Sequence, residues 1–230
     1  MTTKRIVQVW DPLVRIGHWF LVLAFFTAYL TEDDFLTPHV WAGYGVGGYL
    51  LLRLIWGLMG PKNARFSSFV YKPAQIIAYL QKLWLRQPQH YIGHNPAGGA
   101  MVIALLLCLS ATVLSGLQLY AVAEHKGPLV PFQQQLARIQ PLSMTLIANA
   151  HAQDDDDDAQ DAAKPAALSK NQADDAAAEF WEELHELCAN LTVLLVLLHV
   201  AGVMLSSRID QEALVKTMIT GKKEIDDRYQ

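Results

Sequence analysis

The sequence predicts an all-α integral membrane protein, a four-helix bundle with both termini on the cytoplasmic side. Three observations predict it. Only 17% of the 230 residues are charged and 52% are hydrophobic, whereas soluble domains carry about 25% charged residues. The charges avoid four long windows: Ile16 to Thr31, Phe35 to Leu52 (continuing past Arg53 to Gly60), Gln87 to Ala123 and Leu187 to Ser207. Lys and Arg also crowd onto alternate connections between those windows.

Each window is long enough for the roughly 17–25 residues of a bilayer-spanning helix. Four spans are therefore expected, at about 12–31, 38–59, 96–121 and 180–207, in one domain covering residues 1–230. The first apolar run is followed by Glu32-Asp33-Asp34 rather than by a small-residue cleavage site, so it reads as a retained span and not as a signal peptide. Asp11-Pro12, Thr37-Pro38 and Asn95-Pro96 each precede an apolar run. A capping side chain followed by Pro marks a helix start, because the cap accepts an orphan N–H and Pro has none to lose.

The basic residues set the orientation. Lys4, Arg5 and Arg15 precede or open the first span; Lys62, Arg65, Lys72, Lys82 and Arg86 separate the second and third, with Arg53 late in the second; Arg208, Lys216, Lys222, Lys223 and Arg228 follow the fourth. By the positive-inside rule these segments and both termini are cytoplasmic. Lys72 to Leu85 places Ile76, Leu80, Leu83 and Trp84 on one face and reads as an interfacial amphipathic helix. The outer connection, 124–178, is long and partly disordered by composition: His151 to Ala178 is rich in Ala, Asp and Gln and includes Asp154 to Asp158.

Chemistry is concentrated in the histidines. His185 and His199 are fourteen residues apart, roughly 21 Å along a helix and within about 40° of one face. His18 lies early in the first span, which starts inside, and His39 opens the second, which starts outside. In an alternating bundle His18 is level with His199, and His39 with His185. A lone intramembrane His is often a hydrogen-bonded core residue or lines a pore. Four at two matched depths point further. Zinc favours more ligands close together, and the four charge-free windows hold no Asp or Glu for a proton relay. Two imidazoles per level suit haem iron. Covalent c-type attachment is excluded, since no C-x-x-C-H occurs, and Cys108 and Cys188 both fall within spans. Gly43, Gly45, Gly47 and Gly48 would admit a flat ring or a packed helix, while Arg15 and Arg53 could meet haem propionates.

The pieces "RIGHW" (15–19), "PHVWAGYG" (38–45), "GHNPAGG" (93–99) and "HELCANLTVLLVLLHVAGV" (185–203) resemble the bacterial cytochrome b561 / nickel-hydrogenase b-type cytochrome family of four-helix, di-haem membrane proteins. The resemblance touches all four spans and implies two non-covalent haem b groups, paired His18/His199 and His39/His185. It also implies a place in the bacterial inner membrane. His94, within one of these motifs, is expected against a propionate or a quinone, with a plain capping loop as the alternative. Only the long outer loop falls outside the match.

The expected function is transmembrane electron transfer between a membrane quinone and a periplasmic redox partner. Acidic residues around the outer level (Glu32 to Asp34, Asp154 to Asp158, Asp174, Asp175, Glu179, Glu182, Glu183, Glu186) favour a basic c-type cytochrome as that partner. Alternatives within the family are a hydrogenase b-type cytochrome subunit and a superoxide:quinone oxidoreductase, the latter disfavoured because an acidic face repels an anion. An alternative of another class is a haem-free protein, a His-based metal transporter or a structural membrane subunit.

Overall fold

The computed structural model describes residues 4–32, 35–87, 91–132, 163–210 and 212–226. In chain order these form strand β1 (Lys4–Gln8), helix α1 (Pro12–Leu30), α2 (Leu36–Met59), two single 3₁₀ turns (Lys62–Ala64 and Phe66–Ser68), α3 (Pro73–Trp84), α4 (Pro96–Ala123), α5 (Ala163–Ile209), α6 (Leu214–Thr220) and β2 (Lys222–Asp226). Asp154 to Asp158 lie outside the described residues.

Two of the three helix-start signals act as expected. The Asp11 carboxylate accepts from Val14 N, and Pro12 opens α1. The Asn95 carbonyl accepts from Gly98 N at 2.6 Å, and Pro96 opens α4. The third is corrected: α2 begins at Leu36, its N-cap is Phe35 without a side-chain bond, and Thr37-Pro38 lie inside the first turn. Pro tolerates that position because first-turn N–H groups have no intrahelical partner.

Among the described residues three helices are long and apolar enough to cross a membrane: Pro12–Leu30, Pro96–Ala123 and Asp175–Ile209. At 24 residues α2 has the length, but His39, Arg53 and its run of Gly and aromatic residues dilute its hydropathy. The apolar surface faces outward, as lipid rather than water demands. Leu23, Leu58, Leu107 and Leu187 are all exposed.

Two expectations about the ends of the helices change. α5 begins at Ala163, so residues 163–178, expected to be partly disordered, are helical; alanine, the best helix former, carries them. The fold is also not purely helical. β1 pairs antiparallel with β2, Lys4 opposite Asp226 through Gln8 opposite Lys222. The signal was the run Ile6-Val7-Gln8-Val9, in which Val7 and Val9 share a face and Val9 is buried.

The chain divides into two compact units, Met1–Ser110 with Ala189–Gln230, and Ala111–Cys188. In the first unit the β-ribbon is locked to α6 through Gly221, whose carbonyl accepts from Val9 N and Trp10 N. Gly221 ends α6 with φ +76, and a Cβ there would come within 2.7 Å of the Trp10 carbonyl. Only glycine satisfies both constraints. Lys223, one of the basic residues that follow the fourth span, is buried; its Nζ pairs with Glu212 at 2.6 Å and donates to the Tyr91 carbonyl.

The amphipathic helix α3 is corrected in its faces. Tyr79 is buried with Ile76 and Leu83 half-buried beside it, while Ile77, Leu80 and Trp84 point outward. The helix thus has an inner stripe at i, i+3, i+7 and a separate exposed apolar stripe. Tyr79 receives a bond from Asn95 Nδ2 at 2.7 Å, and Ser206, 3.4 Å from the Tyr79 hydroxyl, donates to buried Asp210 at 2.8 Å. These bonds tie α3 to the start of α4 and the end of α5.

Candidate functional site

His18 comes from the second turn of α1 and His199 from the last third of α5, both in the first unit. Their ring centroids are 6.5 Å apart, with planes tilted by 53°. The sequence placed these residues at one depth, and the fold sets their rings close together at a tilt. Trp19 stacks edge-on against His18 at 5.2 Å. His18 Nδ1 is buried and makes no hydrogen bond.

The neighbouring residues share that property. Buried polar atoms without a partner also include Arg15 Nε, Arg53 Nη1, Trp56 Nε1 and His94 Nδ1. Natural proteins leave few buried donors unmet, because each costs about 1–3 kcal/mol. Arg15 is anchored by its Nη1, which donates to the Ile219 carbonyl at 2.9 Å. Arg53 is 5% exposed, its guanidinium 5.0 Å from the Phe66 ring and 5.9 Å from the Phe69 ring. His94 lies between Trp10 and Phe69, each 4.5 Å away by ring centroids. Burial there, with the Arg53 charge and His199 adding to it, pushes the His94 imidazole down to about 4. Trp56 was not singled out in the sequence. Its signal was position: on a helix it shares a face with Arg53 at i, i+3.

His39 and His185 belong to different units and are each held locally. In the first unit His39 Nδ1 donates to the Ala28 carbonyl at 2.9 Å. In the second, His185 Nδ1 donates to the Thr112 carbonyl at 2.9 Å and lies 3.1 Å from Ser115 Oγ. A Cβ on Gly116 would come within 2.8 Å of His185 Cε1. A carbonyl can only accept, so Nδ1 carries a proton in both rings. This is the tautomer of a metal-ligating His whose second nitrogen is oriented by a carbonyl.

Of the four glycines expected to admit a flat ring or a helix, Gly45 packs on Phe20 (3.1 Å from a built Cβ), while a Cβ on Gly43 or Gly48 would meet nothing within 4 Å. A closer approach lies at Gly17, where a Cβ would overlap the Tyr49 ring. Cys108 is buried and accepts from Thr192, itself wholly buried, at 3.2 Å. Neither cysteine forms a disulfide among the described residues. Among the described residues no group of three or more His, Cys, Asp or Glu could hold a metal ion.

Comparison with known proteins identifies the family. The family model for prokaryotic cytochrome b561 matches residues 9–221, a span that takes in all four histidines. Two curated relatives share 26% identity with the chain: probable Ni/Fe-hydrogenase B-type cytochrome subunits of Bradyrhizobium diazoefficiens, over 147 residues, and of Rhizobium leguminosarum bv. viciae, over 149. These matches cover 50% and 51% of this chain and 58% and 61% of the relatives, so less than two thirds of each relative is spanned. No solved structure matches. A b-type cytochrome carries haem b and transfers electrons. The protein belongs to the prokaryotic cytochrome b561 family of membrane cytochromes.

Proposed function

We propose that the protein carries electrons across the bacterial inner membrane, between a quinone in the bilayer and a redox protein on the periplasmic side, by means of two haem b groups. The observation that carries this reading is the His18–His199 spacing. Two imidazoles that held one metal ion between them would stand roughly 6 Å apart, centre to centre, from about 2 Å for each metal–nitrogen distance and about 1 Å from each nitrogen to its ring centre. The 6.5 Å between these centroids fits. The second haem would take His39 and His185, an assignment supported by their matched depth in the sequence and by the like tautomer each adopts in its own unit. Haem supplies one-electron redox chemistry; the chain's histidines ligate it, and its apolar helices keep water away. α2 serves as the fourth span, with both termini cytoplasmic.

The periplasmic partner is a basic protein such as a c-type cytochrome. Exposed Asp175, Glu179, Glu182 and Glu186 recur along one face of α5. Like charges at that spacing repel one another, and a cationic partner relieves the repulsion. A second reading is favoured by the two relatives: a membrane cytochrome subunit serving a hydrogenase.

A reduced-minus-oxidised spectrum of the purified protein is expected to show b-type bands with two haems per chain. Absence of those bands after haem-replete expression overturns the proposal. With a basic cytochrome as acceptor, turnover should fall steeply as salt rises. Salt-independent turnover would leave the hydrogenase reading.

A further inference from the structure

We infer that Arg53, Trp56 and His94 form a carboxylate cradle that grips the haem held by His18 and His199 through its propionates; this rests on the proposed ligation by those histidines. Each of the three presents a buried nitrogen with no hydrogen-bond partner among the described residues: Arg53 Nη1, Trp56 Nε1 and His94 Nδ1. They share one neighbourhood. Arg53 and Trp56 lie on the same face of α2, the Arg53 guanidinium covers Phe66 and Phe69, and Phe69 lies against His94.

The chemistry selects a carboxylate. Arginine at 5% exposure is costly unless an anion meets it. Its fork and an indole N–H only donate, and an imidazole can donate from one ring nitrogen, so a group with several acceptor lone pairs such as a carboxylate can be met by all three. Asp11, the carboxylate that acts on Arg53 from a distance, is committed to the α1 cap. Phe66 and Phe69 hold the guanidinium in place by cation–π contact. Haem brings its own carboxylates to the edge of the ring.

The test uses the full-length protein stripped of haem and titrated with haem b or with haem dimethyl ester, which has the same ring and iron but no free carboxylate. The wild type should bind haem b roughly ten- to a hundredfold more tightly than the ester at the site lost in His199→Ala, the range of a charge-assisted bond. Arg53→Gln should abolish most of that preference, and Arg53→Lys should restore only part of it because the fork is gone. Trp56→Phe and His94→Phe keep an aromatic ring but remove the N–H and should each lower the preference severalfold; they carry the test should Arg53→Gln fail to fold. An unchanged preference in these variants, or none in the wild type, overturns the cradle while leaving axial ligation standing. Failure of the wild type to bind either compound overturns the ligation, and the cradle with it.

Discussion

His39 and His185 differ from His18 in what holds the ring. The first two give their Nδ1 protons to main-chain carbonyls, Ala28 and Thr112, each at 2.9 Å. Their orientation and tautomer are set by the polypeptide. His18 Nδ1 has no such partner, and the unmet donors of Arg15, Arg53, Trp56 and His94 belong to the same unit. The rings of His39 and His185 are thus each oriented by main chain of their own unit, whereas the first unit also holds buried polar atoms with no partner among the described residues. If both pairs ligate haem as proposed, they do so by different routes, tautomer control in one and a waiting donor set in the other.

The largest test removes the ligands themselves. His18→Ala or His199→Ala should cost one haem of two and leave the other, and His185→Ala should do the reverse, read as haem per chain and as band loss in the spectrum. If a single substitution at either level empties both, the two sites do not act separately and the comparison breaks.

Next comes pH, which acts through His94. The folded imidazole sits at about 4, below the ordinary value near 6.5. Between those values the unfolded chain binds a proton that the folded chain refuses. Stability of the haem-free protein is therefore full above about pH 6.5, declines as pH falls toward 4 and levels below it, a loss of up to about 3 kcal/mol. His94→Phe should flatten this part of the curve in a thermal-melt series from pH 7 to 4; an unaltered slope would show that other groups cause it.

Smaller effects sharpen the other level. Gly116→Ala puts a methyl within 2.8 Å of the His185 ring and should weaken haem binding there roughly tenfold, with the His18 level unchanged. Ser115→Ala leaves the Thr112 carbonyl in place for His185 and should cost only about 1 kcal/mol in haem retention. Equal losses at both levels from either variant would mean that the helix, not the ring, had been disturbed.

How much of this was legible beforehand varies with the range of the interaction. Charge-free windows, the Asp11 and Asn95 caps and the 14-residue step between His185 and His199 are local or periodic, and they located α1, α4, the end of α5 and the four candidate ligands. The start of α2 was misread because Thr37-Pro38 has the local pattern of a cap while Phe35 has none. The order in 163–178 was missed because acidic, alanine-rich sequence reads as solvated chain until it continues a stable helix. Trp56 was passed over because indole nitrogen counts only once its surroundings are known to be dry.

What the sequence determined by itself was the solvent and the depth: apolar windows demand lipid, and a helix's fixed rise sets the level of every histidine within it. What only the tertiary structure decided was lateral. It paired β1 with β2 across the length of the chain, divided α3 into a buried and an exposed stripe, and set Arg53 over Phe66 and Phe69. Rise along a helix is a property of the backbone and can be read from residue number. Which faces meet depends on the packing of side chains from distant segments, and no single segment carries that information.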